Sequence, residues 1–324
     1  MDLSVTFIGT AASVPTRSRG TASTLVARGG ERWLIDCGEG TQRQLLRSGH
    51  GLVDVDLILL THLHADHVLG LPGLIKTYGL RGRERALRVI GPAGLSAFID
   101  RLGPIIGRTP FPLQVEDVSA GVVHDTEGAV IEAFNTDHGI ASFGYALLED
   151  DRPGAFDVDA ARALGVPSGP LFGRLQRGMD VELDDGTTVR PDQVLGETRE
   201  GRTLVFSGDT RPCATTADIA VDADLLVHEG TFLHEERDRA LETRHSTVRE
   251  AAELARSAQV RMLALTHLSS RFMPRDARAE ALEIYDRVVI PKDFDTVEIP
   301  FRERGEPVLQ HIDDAPRSTE PPAG

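Results

Sequence analysis

Lysine is nearly missing from this chain: of 35 basic residues, only Lys76 and Lys292 are not arginine. Positive charge is also outnumbered, with a net charge of −15. That deficit weighs against a nucleic-acid partner, because phosphate binders are usually basic. Cysteine is scarce too. Cys37 and Cys213 cannot build a disulfide framework, which fits a reducing cytoplasm. No stretch approaches the roughly 20 apolar residues of a membrane span. The opening "MDLSVTFIGT" has neither a basic start nor a long apolar core, so it reads as a first strand and not as a signal peptide. What remains is ordinary: 324 residues, 40% apolar and 26% charged, enough for one large domain or two modest ones.

The first 150 residues read as short apolar strands broken by Gly-rich turns. Strands are expected at 3–9, 22–27 and 32–38, the last two joined by a Gly29-Gly30 turn. "VDLILLTH" (55–62) is an apolar run that stops abruptly in polar residues, as buried strands do at the mouth of a site. A helix should follow through 68–79, then a strand at 87–91, a helix over 94–103, and strands at 112–118, 129–136 and 142–149. The composition then turns to Gly, Pro and acid over 149–202, with only a short helical pattern at 157–164. This predicts an excursion from the main body without a core of its own. Strands return at 203–209, 224–230 and 261–267, with helices at about 214–221, 246–257 and 275–286. The tail 313–324 has the composition of disorder.

Four of these strands end alike, in "LLTHLHADH", "AFNTDHG", "VFSGDT" and "LALTHLS". Each apolar run stops at His or Asp, and strands that end together in one sheet gather such residues around a point. The set is His62, His64, Asp66 and His67 from the first run, then His138, Asp209 and His267. Imidazole nitrogen mixed with carboxylate oxygen suits Zn²⁺ best, with Mn²⁺ or Fe²⁺ as substitutes. Seven donors are too many for one tetrahedral zinc. They suit two metals sharing a carboxylate, a pair that polarises a phosphoryl oxygen and lowers the pKa of the water between them. His50, His124, His234 and His311 read as ordinary structural histidines.

"THLHADH" resembles the His-x-His-x-Asp-His signature of the metallo-β-lactamase superfamily. Within it, the chain resembles the ribonuclease Z (tRNase Z) family over nearly its whole length. The carriers are "FIGTAASVPTRSRGTAS", "LIDCGEGTQRQLLRSG", "LILLTHLHADHVLGLPGLI", "NTDHGIASFGYAL", the Gly-Pro-rich excursion, "LVFSGDTRPC", "HEGTF", "RHST" and "LTHLSSRF". The resemblance implies an α/β fold, the metallo-β-lactamase αββα four-layer sandwich, spanning 1–312. An inserted flexible arm at 150–202 would bind tRNA. It implies one zinc on His62, His64 and His138, a second on Asp66, His67 and His267, and Asp209 between them. Asp36 would orient the metal loop from behind the ligands. His245, steadied by Glu229, would protonate a leaving 3′-oxygen, and Asp66 would help deprotonate the attacking water. In "RHST", Ser246 is a candidate cap for the helix that follows.

The activity implied is removal of the 3′ trailer from precursor tRNA after the discriminator nucleotide, leaving a tRNA 3′-hydroxyl and a trailer 5′-phosphate. A cytoplasmic homodimer with two Zn²⁺ per subunit is implied as well. The acidic balance is partly answered by local charge. Residues 76–88 hold Lys76, Arg81, Arg83, Arg85 and Arg88 against Glu84 alone, and "GPLFGRLQRG" adds Gly169, Pro170, Arg174 and Arg177 with no acid. One departure is Arg19-Gly20, where many relatives carry Arg-Asn. Two rivals stand beside this reading: a dinuclear-metal hydrolase of small molecules on the same fold, and a metal-binding RNA chaperone without chemistry. The long arm weighs against the first, and the complete ligand set with His245 and Glu229 against the second.

Overall fold

The structure, a computed structural model, describes residues 1–52 and 55–311. The expected disordered tail at 313–324 lies outside the described residues. The chain forms two compact units, one of residues 1–148 with 203 onward, the other Glu149–Arg202.

The larger unit is built on two sheets. The first takes β1 (Leu3–Gly9), β2 (Ser23–Arg28), β3 (Glu31–Ile35), β4 (Leu57–Leu59), β5 (Leu87–Gly91) and β6 (Leu113–Asp117). The second takes β7 (Gly121–Thr126), β8 (Ala129–Asn135) and β9 (Phe143–Glu149). After a small hairpin of β10 (Val181–Glu182) and β11 (Thr188–Val189), it continues with β12 (Thr203–Phe206), β13 (Leu225–Glu229), β14 (Leu263–Thr266) and β15 (Val288–Val289). Finally β16 (Thr296–Glu298) and β17 (Val308–Gln310) return to the first sheet beside β1.

Period-two alternation explains the layering. Leu57 and Leu59 of β4 face the second sheet, in a core they share with Phe7, Trp33, Tyr145, Phe206 and Val227. Ile58 and Leu60 face the other way, against Leu71, Leu74, Ile75 and Tyr78 of helix Leu71–Leu80 and Leu95 of helix Leu95–Ile106. Likewise Leu226 of β13 turns from the inter-sheet core to Val248, Ala251, Ala252 and Ala255 of helix Val248–Ser257. Helices therefore cover both outer faces, giving the αββα sandwich. Both faces of β4 and β13 are buried, which is why those segments read as unbroken apolar runs. Among the described residues, no helix is long and apolar enough to cross a membrane.

Three expectations need correction. The helix expected through 68–79 is two, Ala65–Val68 and Leu71–Leu80. The break falls at Gly70, where a Cβ would lie 2.1 Å from the Gly38 carbonyl oxygen. The excursion does carry its own small core, of Ala161, Val166, Leu175, Val181, Val189 and Val194. Its helices Val158–Ala163 and Pro170–Gln176 and its hairpin each give one or two apolar residues to that core, too few for a visible pattern. The cap of helix Val248–Ser257 is Thr247, in a reciprocal capping box with Glu250, and not Ser246. Ser246 instead donates through Oγ to the Thr210 carbonyl.

Candidate metal centre

Strand register brings the polar strand ends together. β3 and β4 run parallel with Ile35 beside Leu59, so Asp36 follows beside Leu60 and accepts from the Thr61 N–H. In the facing sheet, β12, β13 and β14 are parallel, with Phe206 beside Val227 and Glu229 beside Thr266. Asp209, Glu229 and His267 therefore emerge at one edge. Two links join the sheets there: Phe143 N–H donates to the Thr61 carbonyl at 2.9 Å, and Tyr145 Oη to the Leu60 carbonyl at 2.8 Å. The approach is close enough to demand glycine. A Cβ on Gly208, just past β12, would lie 3.0 Å from the Thr61 side chain that follows β4.

The donor atoms gather in triads whose members lie within 4.8 Å of one another: His62, His64 and His138 in one, Asp66, His67 and His267 in another. Asp209 groups with His62 and His67 on one side and with His138 and His245 on the other. Its Oδ2 is 3.4 Å from His67 Nε2 and 3.3 Å from His267 Nε2. Two triads sharing one carboxylate form a dinuclear metal centre, and the nitrogen and oxygen donor set suits zinc.

The rings are fixed from behind. His67 Nδ1 donates to Asp36 Oδ2 at 2.7 Å, and His138 Nδ1 donates to the Arg244 carbonyl at 3.0 Å. Neither acceptor can donate, so each ring carries a proton on Nδ1 and turns Nε2 toward the other donors. His67 Nε2 is buried without a hydrogen-bond partner. A buried nitrogen without a partner is costly, and ligating a cation among these donors would satisfy it. Asp36 also accepts from Thr61 N–H at 2.8 Å and from Thr61 Oγ. Both Asp36 and His267 hold left-handed backbone, with φ of 60° and 54°, a strain usual at functional sites.

Electrostatics sort the groups further. Burial pushes His62 well below the ordinary histidine value and lowers His64 as well, leaving both rings neutral with lone pairs to offer. At Asp209 burial opposes ionisation, yet His267 and His67 outweigh it and hold the carboxyl well below its usual range. His245 differs. Burial would lower it, but Glu229, whose Oε1 lies 2.9 Å from Nδ1, holds it up at about 9. Glu229 is itself pinned by Thr210 N–H at 2.7 Å, Ser246 N–H at 3.1 Å and Thr231 Oγ at 2.5 Å. The histidine ring stands 5.5 Å from that of His267 and 4.9 Å from that of His138. A charged acid thus sits at the edge of the donor cluster.

Comparison with known proteins fits this geometry. A family model described as the metallo-beta-lactamase superfamily matches residues 17–146. A ribonuclease Z of Haloferax volcanii is 49% identical over 306 residues, covering 93% of this chain and 96% of that protein. The chain belongs to the ribonuclease Z family. Another of its members, from Myxococcus xanthus, is 47% identical over 93% of this chain and 99% of its own length. The crystal structure of human tRNase Z, short form, is 27% identical and superposes with a TM-score of 0.68, covering 92% of this chain and 99% of that one. The fold alone is shared more widely: a diphosphatase of the PhnP family, 15% identical, reaches 0.63 over 92% of this chain and 98% of its own.

Some residues singled out in the sequence serve other ends in this member of the ribonuclease Z family. In the basic stretch 76–88, Arg83 is buried and donates to the Val55, Arg85 and Ala86 carbonyls. Arg85 pairs with Asp56, and Arg88 forks onto Glu116 at 2.8 and 2.9 Å. Three of the five cations are therefore engaged within the fold, though Arg85 stays exposed, as do Lys76 and Arg81. In the excursion, Gly169 and Pro170 open a short helix that exposes Arg174 and Arg177. Beside Arg19-Gly20, Gln44 Nε2 donates to Asp293 at 2.6 Å, and a Cβ on Gly20 would lie 3.0 Å from that nitrogen. Sequence reasoning missed Thr61 and Thr231. The second joins Glu229 to His267, whose Nδ1 is 2.9 Å from its hydroxyl. Their one signal was position, beside a ligand in "THLHADH" and inside "HEGTF".

Proposed function

We propose that the protein is a zinc-dependent endoribonuclease that removes the 3′ trailer from precursor tRNA after the discriminator nucleotide. The products are a tRNA 3′-hydroxyl and a trailer 5′-phosphate. One observation carries the reading: a dinuclear donor set with a carboxylate-steadied histidine at its edge, in a chain 49% identical to a ribonuclease Z over 93% of its length. His62, His64 and His138 would hold one ion and Asp66, His67 and His267 the other, with Asp209 within reach of both and Asp36 orienting His67. When bound, the ions supply Lewis acidity toward a phosphoryl oxygen and lower the pKa of water at the site.

The chain's own groups move the protons. His245, charged through Glu229, donates its proton to the departing 3′-oxygen as the P–O3′ bond breaks. The proton lost by the attacking water passes to Asp66. That carboxyl is a weak base, since burial would raise its pKa but His267 and His67 pull it well below the usual range. Its hold on the proton is brief. Precursor tRNA is the substrate, engaged by the arm through Gly169, Pro170, Arg174 and Arg177 and by Lys76 and Arg81 on the larger unit. The protein works in the cytoplasm as a homodimer, as the resemblance implies. Substituting His245→Ala tests the assignment. A catalyst loses turnover and keeps tRNA affinity, whereas an RNA chaperone without chemistry loses neither.

A further inference from the structure

We propose that Arg244 and Arg211, held on the single carboxylate of Asp137, form a fixed cradle for the substrate phosphate next to the scissile one, on the side of the leaving 3′-oxygen. The inference rests on the endoribonuclease reading above. Asp137 precedes His138 and accepts from Arg211 Nε at 2.7 Å and from Arg244 Nη1 at 3.3 Å. Its backbone is fixed by Thr210 Oγ and by the Arg211 N–H. Arg244 Nη1 also reaches the His138 carbonyl at 3.2 Å, and the Arg244 carbonyl takes the His138 Nδ1 proton in return. The unit is thus bolted to the donor cluster at His138.

Its charge is not cancelled, since two guanidinium groups share one carboxylate. Each guanidinium carries five N–H donors. Both Nη groups of Arg211, and Nε and Nη2 of Arg244, have no partner among the described residues. The two side chains are 39% and 50% exposed. Planar forks held still, half in water and keeping spare donors, match a phosphodiester oxygen pair. In a chain of net charge −15, such a rim is where a backbone phosphate gains most. The side follows from His138, whose carbonyl Arg244 Nη1 reaches and whose ring stands 4.9 Å from that of His245, the proton donor to the 3′-oxygen, so the cradle is placed toward the phosphate 5′ of the discriminator nucleotide.

The test is a cycle of two changes on the zinc-loaded full chain. R244Q and R211Q are assayed with precursor tRNA carrying either a native phosphate or an uncharged methylphosphonate 5′ of the discriminator, on matched deoxyribose. Bis(p-nitrophenyl) phosphate, which has no neighbouring phosphate, is run in parallel, with metal content measured on every sample. Each variant should lose roughly ten- to hundredfold in kcat/KM on native precursor, the worth of a charge-assisted hydrogen bond, chiefly through KM. The ratio of tRNA cleavage to diester hydrolysis should fall with it, and the methylphosphonate should add little further loss. Losses that multiply, or that are equal on both substrates, would overturn the cradle. Failure of the parent protein on native precursor would show first that the tRNA reading is wrong, and the cradle would fall with it.

Discussion

Asp36 belongs to no donor triad, yet its carboxylate fixes both the His67 proton and the Thr61 backbone that leads into His62. Replacing it by Asn removes the charge that favours Nδ1–H and frees the ring to turn. Asp36→Asn should weaken zinc binding by roughly 10- to 100-fold, the usual cost of losing a ligand's outer partner, read by chelator competition. Unchanged affinity would mean the left-handed turn at Asp36 serves the fold alone. The His245–Glu229 pair predicts a pH effect. A raised pKa keeps the charged acid below it and loses it as pH rises through it. Bound cations would lower the value from about 9, while Glu229 is its chief support. Glu229→Gln should therefore shift the alkaline fall of kcat to lower pH. An alkaline limb that stays put would remove His245 from the role of acid. At this scale the ligands were legible because His and Asp interrupt apolar runs. Thr61 and Thr231 were not, because a threonine beside a strand end looks the same whether it holds a ligand or merely a turn.

At the scale of elements, the strands that carry the site were plain in sequence, since both their faces are buried and the apolar run is continuous. The closing strands β15, β16 and β17 were invisible. Each is two or three residues long, too short for any period to show. Helix Arg237–Thr243 was equally silent, with only Ala240 buried. The five cations of 76–88 teach a related lesson: charge in sequence does not say which guanidinium turns inward to satisfy backbone carbonyls. The excursion leaves and re-enters at paired positions, Leu148 opposite Thr203 on β9 and β12. Replacing 149–202 by an Asn-Gly turn would therefore close a hairpin at that point. If the excursion is the tRNA-binding arm, KM for precursor tRNA should rise roughly tenfold or more, the loss expected from even one charged phosphate contact, with a smaller effect on bis(p-nitrophenyl) phosphate. Equal effects on both substrates would make the unit a scaffold piece.

Over the whole molecule, the acidic balance sets the problem that the local geometry must solve. The excursion at 149–202 does not solve it by bulk charge, holding seven arginines against twelve acids. Any grip on phosphate must come from placed groups, and its affinity should fall with salt as contacts release counterions. The fold is shared by enzymes of other kinds, so substrate choice rests on the site and its surroundings. One measurement bears on this most directly: single-turnover cleavage of a 5′-labelled precursor tRNA, with metal content determined on the same sample. The account predicts a single cut after the discriminator nucleotide, abolished by chelation and restored by zinc. Intact precursor beside hydrolysed bis(p-nitrophenyl) phosphate would contradict it, leaving a metal-dependent hydrolase whose substrate is not tRNA.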